Sequence, residues 1–239
     1  MDLPLRIVGD VHGAPAALAR AVSTSDRHII LLGDLIDGGT DNASVLRRAV
    51  RLLDRGRATL IRSNHDDKLY RALIGRQVKA GPALQRTLQQ IEAARDAAHL
   101  KSSFVRIYER ARDWLYVPPY FMVHGAFHPD MLTAEGLDQI GDRKQRDFLR
   151  WLSLFAEGRA NPDGGLPIRT YGWLDSIPVD LTVIVGHDIR SRQSPVFKRN
   201  AQDGRAVFLD TGCGKGGRLT WMDLPDETVG QFVPRSKSA

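Results

Sequence analysis

The segment Ile29–Gly39, which reads IILLGDLIDGG, decides the fold. It opens with four aliphatic residues, and a short, continuously apolar run of this kind is typical of a strand that is buried on both faces. The chain then turns acidic and glycine-rich, beginning with Gly33 and Asp34. Open α/β sheets place their ligands at the carboxyl ends of such strands, so Asp34 is a candidate functional residue. Because a lone Gly-Asp pair is ordinary turn material, the interpretation depends on recurrence of the pattern.

The composition is that of a soluble globular protein. With 239 residues, 42% of them hydrophobic and 26% charged, the chain fits one large α/β domain or two small ones. Its single cysteine, Cys213, excludes an internal disulfide and is typical of a reducing compartment. The N-terminus lacks the layout of a signal peptide, and no run approaches the roughly 18 apolar residues of a membrane span. We therefore expect a cytoplasmic protein without a membrane partner.

The formal charge of +6 and the pI of about 9.7 are compatible with polyanionic partners, including nucleic acid. The basic residues are nevertheless spread along helical stretches, and no nucleic-acid-binding motif is recognisable. An ordinary basic surface and a nucleic-acid partner both remain open.

The first 66 residues alternate strands and helices. The predicted elements are a strand at Arg6–Val8, a helix at Ala14–Ser23, the strand within Ile29–Gly39, a helix from about Asp41 to Leu53, and a strand at Ala58–Ile61. A polar cluster follows each strand. This alternation alone predicts a doubly wound α/β sheet.

A long helical region follows the third strand. It extends from about Lys68 to Trp114 and is interrupted near Gly81-Pro82. We expect this helical segment, about residues 66–115, to cover one side of the site. It would then be part of a single domain of residues 1–239.

Strands resume in the second half of the chain. They are predicted at Tyr120–Val123, Leu181–Val185, Arg205–Leu209 and Arg218–Met222, with a helix at about Arg143–Ala156. The polar tail after Val233 is expected to fray.

Side chains that can bind metal ions follow five of these strands. They are Asp10 and His12, Asp34 and Asp37, Asn64 and His65, His124, and His187. Carboxylate, imidazole and amide ligands together suit Mn²⁺, Fe²⁺ or Zn²⁺. The set exceeds what one ion requires, and a carboxylate can bridge two ions. The sequence therefore predicts a two-metal centre of the kind that supports phosphoryl transfer.

The same residues form motifs that resemble those of the calcineurin-like metallophosphoesterases. The motifs are GDVHG at 9–13, GDLID at 33–37, NHD at 64–66, VHG at 123–125 and GH at 186–187. Within that superfamily, the chain is most similar to the phosphoprotein-phosphatase branch. Residues 64–71 and 210–220 also resemble the phosphatase domain of bacterial polynucleotide kinase-phosphatase and its stand-alone relatives. Some of those relatives are known as dinucleoside-tetraphosphate hydrolases.

The resemblance implies a fold and a set of ligands. The fold is an α/β (α+β) sandwich of four layers, in which helices flank two mixed sheets. The first ion would be held by Asp10, His12 and Asp34, with Asp34 bridging, and the second would be completed by Asn64, His124 and His187. We expect two divalent ions, with manganese favoured and iron or zinc as alternatives.

The resemblance also implies a general acid. His65 would donate a proton to the leaving oxygen and would be oriented by Asp37, while a hydroxide between the ions attacks phosphorus in line. A carboxylate partner fixes the tautomer of such a histidine and favours its charged form. Asp210 matches a further motif position, and we expect its carboxylate to lie behind the ligands and to support them without binding an ion.

One departure from the family pattern concerns phosphate binding. The family has an arginine where this chain has Gly38, and that arginine grips the phosphate through a bidentate fork. Arg62, Arg71 and Arg190 each adjoin a motif and are the candidates to replace it.

The predicted function is hydrolysis of phosphomonoesters at a dinuclear metal centre. The phosphorylated substrate is open among phosphoproteins, nucleotides and nucleic-acid ends. One alternative is a dinucleoside-polyphosphate hydrolase. Another is a metal-binding module whose catalysis has decayed, which the intact pair His65 and Asp37 argues against.

Overall fold

A computed structural model of the chain describes residues 4–165 and 167–234. The strands are β1 (Leu5–Val8), β2 (His28–Leu31), β3 (Ala58–Leu60), β4 (Trp114–Val117), β5 (Tyr120–Val123), β6 (Gly158–Arg159), β7 (Ile168–Arg169), β8 (Thr182–Val185), β9 (Val196–Arg199), β10 (Arg205–Phe208), β11 (Leu219–Leu224) and β12 (Thr228–Phe232). The α-helices are α1 (Pro15–Ser23), α2 (Asn42–Asp54), α3 (Asn64–Leu73), α4 (Pro82–Glu92), α5 (Ala97–Glu109) and α6 (Arg143–Phe155). Short 3₁₀ helices lie at Pro129–Thr133, Leu137–Gln139 and Gly172–Ser176.

The strands form two mixed five-stranded sheets and one small ribbon. The first sheet has the order β12-β11-β1-β2-β3, in which β1, β2 and β3 are parallel and the other pairs are antiparallel. The second has the order β4-β5-β8-β10-β9, with a parallel centre and antiparallel edges. β6 and β7 pair only with each other.

Hydrophobic side chains stack the sheets and helices into four layers. Ile7 and Ile30 of the first sheet pack against Met122, Ile184 and Val207 of the second. The opposite face of the first sheet packs on helices α1 to α5, and that of the second sheet packs on α6 and the 3₁₀ helices. β1 is buried along its whole length because it lies between two layers. This arrangement explains why the central strands read as unbroken apolar runs.

The two-sheet sandwich confirms the fold that the family resemblance implies. The single doubly wound sheet that the alternation predicts is wrong, because β4, β5, β8, β9 and β10 pair with one another and form a second sheet. The sequence of a strand indicates whether the strand is buried, but it does not identify the strands with which it pairs.

The helical segment ends earlier than the sequence predicts. It is divided into α3, α4 and α5, and the chain leaves α5 after Glu109. Residues Trp114–Val117 form β4, which pairs antiparallel with β5. The WLYV sequence of β4 fits a strand as well as a helix, so periodicity alone could not place this boundary.

Besides β4, four strands escape the sequence prediction: β6, β7, β9 and β12. They are short or lie at sheet edges, where partial exposure removes the apolar signal. β12 extends close to Val233, and residues 235–239 of the predicted frayed tail lie outside the described residues. Within the part of the chain that the structure describes, every helix is too short or too polar to cross a bilayer.

Candidate metal centre

The carboxyl ends of β1, β2, β5 and β8 meet at one edge of the sandwich. Their following turns carry Asp10 with His12, Asp34, His124 and His187, respectively. α3 begins with Asn64 at the same edge. The structure therefore brings all six predicted metal ligands together.

The backbone is strained at this edge. Non-glycine residues with positive φ include His12 at 42°, Asp34 at 44°, Asp37 at 69° and His187 at 63°. Such conformations cost on the order of 1–3 kcal/mol each and persist only when the surrounding structure enforces them. Their concentration here marks the turns as a functional site.

Asp34 lies at the middle of the cluster. One of its carboxylate oxygens is 3.5 Å from Nε2 of His12, and the other is 3.4 Å from Nε2 of His124. Asp34 thus belongs to two trios that could each hold an ion, one with His12 and His65 and one with His124 and His187. Asn64 Oδ1 lies 3.0 Å from Nε2 of His124 and 3.1 Å from Nδ1 of His187.

The carboxylates of Asp10 and Asp210 face the same space. Burial, together with the negative charges of Asp210 and Asp34, raises the pKa of Asp10 well above its ordinary value. Asp10, His12 and Asp210 form a third trio with ligand distances. The carboxylate of Asp210 is therefore within ligand distance of the side chains of Asp10 and His12. Its position after β10 brings its carboxylate into the cluster itself.

Three histidines of the cluster are neutral. The Nδ1 atoms of His12 and His124 contact the backbone carbonyls of Ile36 and Leu32 at 2.9 and 2.8 Å. As donors to these carbonyls, the Nδ1–H groups leave each Nε2 as a lone pair directed into the cluster. Burial lowers the pKa of His12, His124 and His187, so the imidazoles are uncharged at neutral pH.

The donor set fits a bound cation. Nε2 of His12 and Oδ2 of Asp210 are buried without a hydrogen-bond partner, and an unpaired buried polar atom is costly. Divalent cations would satisfy both atoms and offset the repulsion among Asp10, Asp34 and Asp210. Oxygen and imidazole ligands in this mixture suit Mn²⁺, Fe²⁺ or Zn²⁺.

His65 and Asp37 form the predicted pair. Nδ1 of His65 lies 2.8 Å from Oδ2 of Asp37. Burial opposes the charge of His65, but Asp34 and the hydrogen bond to Asp37 raise its pKa above the ordinary value. The Thr87 hydroxyl of α4 donates to the other oxygen of Asp37 at 2.7 Å. The helical segment predicted to cover the site therefore contacts this pair directly through Thr87.

The three candidate phosphate-binding arginines are engaged elsewhere. Arg62 pairs with Asp113 at 2.8 Å, and Arg71 lies 3.9 Å from Asp67 of its own helix. Arg190 stacks on the ring of Tyr171 at 4.3 Å. Among the described residues, none of the three bonds to a member of the metal-ligand cluster.

Gly38 leaves no room for the family's arginine. A Cβ at this position would lie 2.8 Å from Cβ and 2.9 Å from the carbonyl oxygen of His12. A side chain here would displace the backbone that positions a metal ligand. The glycine is therefore required by close packing of two turns.

Sequence reasoning missed two cations at the centre. Arg169 of β7 donates from its guanidinium to Nε2 of His187 and to the backbone carbonyl of Phe155. The exposed Lys215, on the turn after β10, acts electrostatically on Asp10 and His12. No strand-end pattern marks Arg169, whereas the glycine-rich surroundings of Lys215 were a usable signal for a turn.

The cysteine offers no alternative chemistry. Cys213 is fully buried, and burial raises the pKa of its thiol to about 12. A thiol in that state is a poor nucleophile, so cysteine-based phosphate transfer is excluded.

A family model provides the decisive comparison. The model for calcineurin-like phosphoesterases matches residues 3–197, which is most of the chain. The chain belongs to this family. It is therefore a metal-dependent phosphoesterase, and the hypothesis of a non-catalytic binding module loses support. The family implies divalent metal ions, in agreement with the donor set described above.

Curated relatives share most of the chain's length. The bis(5'-nucleosyl)-tetraphosphatase PrpE (asymmetrical) of Bacillus velezensis is 30% identical over 87% of this chain and 79% of its own length. The protein of the same name from Bacillus subtilis is 28% identical over 96% of this chain and 94% of its own.

Solved structures agree on the fold. One, provisionally assigned as a diadenosine tetraphosphatase, superposes with a TM-score of 0.62 and 23% identity, covering 99% of this chain and 96% of its own. A Saccharomyces cerevisiae serine/threonine phosphatase similar to human PP5 has a TM-score of 0.61 and 12% identity, covering 100% of this chain and 81% of its own.

Proposed function

We propose that the chain hydrolyses dinucleoside polyphosphates at a centre of two divalent ions, with manganese as the favoured metal. The observation that carries the two-ion proposal is the position of Asp34, whose carboxylate oxygens face histidines on opposite sides. The similarity to tetraphosphatases over most of the chain supports the substrate.

The ligands divide into two groups around Asp34. His12 and Asp10 would hold one ion, with Asp210 as a further oxygen donor. Asn64 would join His124 and His187 around the other, since its amide oxygen already lies between their rings. Bound ions would supply Lewis acidity toward the phosphate oxygens.

Basic side chains of the protein would bind the phosphate oxygens that the metal ions do not contact. Arg169 is in contact with His187, so its guanidinium lies at the margin of the centre. Arginine presents a planar fork that matches phosphate oxygens, which makes Arg169 our candidate to replace the missing family arginine. Lys215 adds a second positive charge near Asp10 and His12.

His65 would protonate the leaving oxygen. Its Nδ1 is hydrogen-bonded to Asp37, so Nε2 is left to carry the transferable proton. Nε2 lies 3.9 Å from a carboxylate oxygen of Asp34, and this short distance to the proposed bridging ligand supports the role of His65 as proton donor. Asp37 holds the ring orientation and favours the charged form.

The pair of His65 and Asp37 also supports a second candidate function, the hydrolysis of phosphomonoesters. A nucleotide is a stable leaving group when a phosphate anhydride is cleaved, whereas an alkoxide needs a proton. The well-formed contact of His65 with Asp37 is the observation that favours this alternative. Its substrate would be an alkyl phosphate of a protein, a nucleotide or a nucleic-acid end.

Product analysis separates the two candidates. The manganese-loaded protein is incubated with bis(5'-adenosyl) tetraphosphate, AMP, phosphoserine and a 3'-phosphorylated oligonucleotide, and the products are resolved by chromatography. We expect ATP and AMP in equal amounts from the first substrate, with a higher kcat/KM than for the others. Faster release of inorganic phosphate from a monoester would favour the second candidate. No turnover of any substrate by metal-replete protein would contradict both.

A further inference from the structure

Helix α6 exposes three aromatic rings to solvent. Phe148, Trp151 and Phe155 are 46%, 42% and 41% exposed, respectively. Their spacing of three and four residues places them along one side of the helix. Leu149 and Leu152 face the core, whereas the Phe148 ring lies at the surface in edge contact with the ring of His128, with 5.4 Å between the ring centroids. A row of large exposed aromatic side chains is uncommon and indicates a binding surface.

This aromatic face begins at the metal centre. The carbonyl oxygens at the end of α6 accept hydrogen bonds from the turn after His124, including one of 2.7 Å from the Gly125 N–H to Ser153. Arg169 then links the carbonyl of Phe155 to the imidazole of His187. Phe155 is therefore next to the centre. With a rise of 1.5 Å per residue, Trp151 and Phe148 follow at about 6 and 10 Å along the helix.

The charge of the helix complements phosphate. α6 carries the basic residues Arg143, Lys144, Arg146 and Arg150 and the acidic residue Asp147. Arg143 pairs with Asp147 at 3.7 Å, and Arg146 donates to the carbonyl of Ile140. Lys144 lies one helical turn before Phe148, is exposed and has no ion pair among the described residues, so it is available to a polyanion bound on the aromatic face. Aromatic rings interleaved with cations are the means by which proteins bind bases and phosphates together.

We propose that the aromatic face of α6, formed by Phe148, Trp151 and Phe155, stacks a nucleobase of the dinucleoside polyphosphate substrate. The inference rests on the proposed function, because it takes the substrate to contain a base linked to phosphates. The phosphate chain would contact Arg169 beside the metal centre. The nucleoside farther from the centre would then lie on helix α6. This placement gives the chain a means of distinguishing nucleotides from phosphates that lack a base.

Tryptophan fluorescence tests the contact directly. Of the four tryptophans, Trp151 is the exposed one, since Trp114, Trp173 and Trp221 are no more than 8% exposed. A non-hydrolysable methylene-bridged analogue of bis(5'-adenosyl) tetraphosphate should quench the emission in a saturable manner. Methylenediphosphonate, which has no base, should bind without comparable quenching.

Variants of Trp151 test whether contact with the base contributes to the affinity for the analogue. Trp151→Ala should raise the inhibition constant of the analogue about 5- to 150-fold, as expected for loss of one base–aromatic stack. Trp151→Phe keeps a ring and should remain near wild type. Phe197→Ala is the matched control, because it removes a ring of 47% exposure from the edge strand β9, and it should leave the affinity unchanged.

The outcomes separate the inference from the proposed function. Saturable quenching in a protein that does not cleave bis(5'-adenosyl) tetraphosphate would support the base site and refute the proposed reaction. Cleavage of that substrate without quenching, and with unchanged inhibition of Trp151→Ala, would overturn the inference. A change from dimer to monomer in Trp151→Ala, with unchanged inhibition, would overturn it in favour of an interface between two copies.

Discussion

Replacing Thr87 with valine tests how the candidate general acid is positioned. The Thr87 hydroxyl has one hydrogen, and the charged oxygen of Asp37 at 2.7 Å is a stronger acceptor than the carbonyl of Ala83 at 3.2 Å. Valine has nearly the same shape, so the buried site should keep its packing. A hydrogen bond to a charged group contributes about 1.5–3 kcal/mol. Its loss predicts a rate decrease of about 10- to 150-fold where protonation by His65 limits the reaction.

The assay compares leaving groups. Phosphoserine needs a proton on its leaving oxygen and should show the full loss with Thr87→Val, whereas p-nitrophenyl phosphate should lose much less. Thr87→Ser retains the hydroxyl and is the control that should approach wild-type rates. Metal content is measured in each variant to exclude an indirect effect. Wild-type turnover of phosphoserine by Thr87→Val, or equal loss on both substrates, would refute the positioning role.

Three further predictions concern the centre and its acid. Asp34→Asn should bind less of both ions and lose turnover, as measured by plasma mass spectrometry and rate assays; full metal content would exclude a bridging role. Gly38→Ala should lower the melting temperature and metal affinity because its Cβ meets His12, and unchanged values in both measurements would contradict the packing argument. The hydrogen bond to Asp37 raises the pKa of His65, so we expect kcat to fall as pH rises through the pKa of this imidazole. Asp37→Asn removes an interaction that favours the charged imidazole, so the fall should move to lower pH in a pH–rate profile; an unmoved profile would contradict this assignment.

The clustering of the candidate metal ligands was predictable because these residues follow strands that the sequence marks clearly. Asp34 and His187 each come after a continuous apolar run, and parallel strands deliver their carboxyl ends to one edge. Their recurrence identified the centre before any pairing was known. The two-sheet sandwich was predicted from the family resemblance, because local alternation in the chain cannot specify that β4, β5, β8, β9 and β10 form a separate sheet.

The residues that escaped prediction act through tertiary contacts. Thr87 lies 50 residues beyond Asp37, in the middle of α4, and looks like any threonine in an amphipathic helix. Arg169 reaches His187 from an edge ribbon of two residues per strand. Lys215 lies on a turn whose course is set by its packing against His12. Such contacts depend on how the helices, strands and turns pack together, so they cannot be predicted from the sequence around each residue.

The central claim is that Asp34 joins two metal ions at the meeting point of the sheets. Anomalous diffraction from crystals of the manganese-loaded protein, recorded at the manganese edge, tests it most directly. The account predicts two peaks about 3.5–4 Å apart, with Asp34 bonded to both, Asp10 and His12 on one side, and His124 and His187 on the other. A single peak, or two peaks without Asp34 between them, would contradict it.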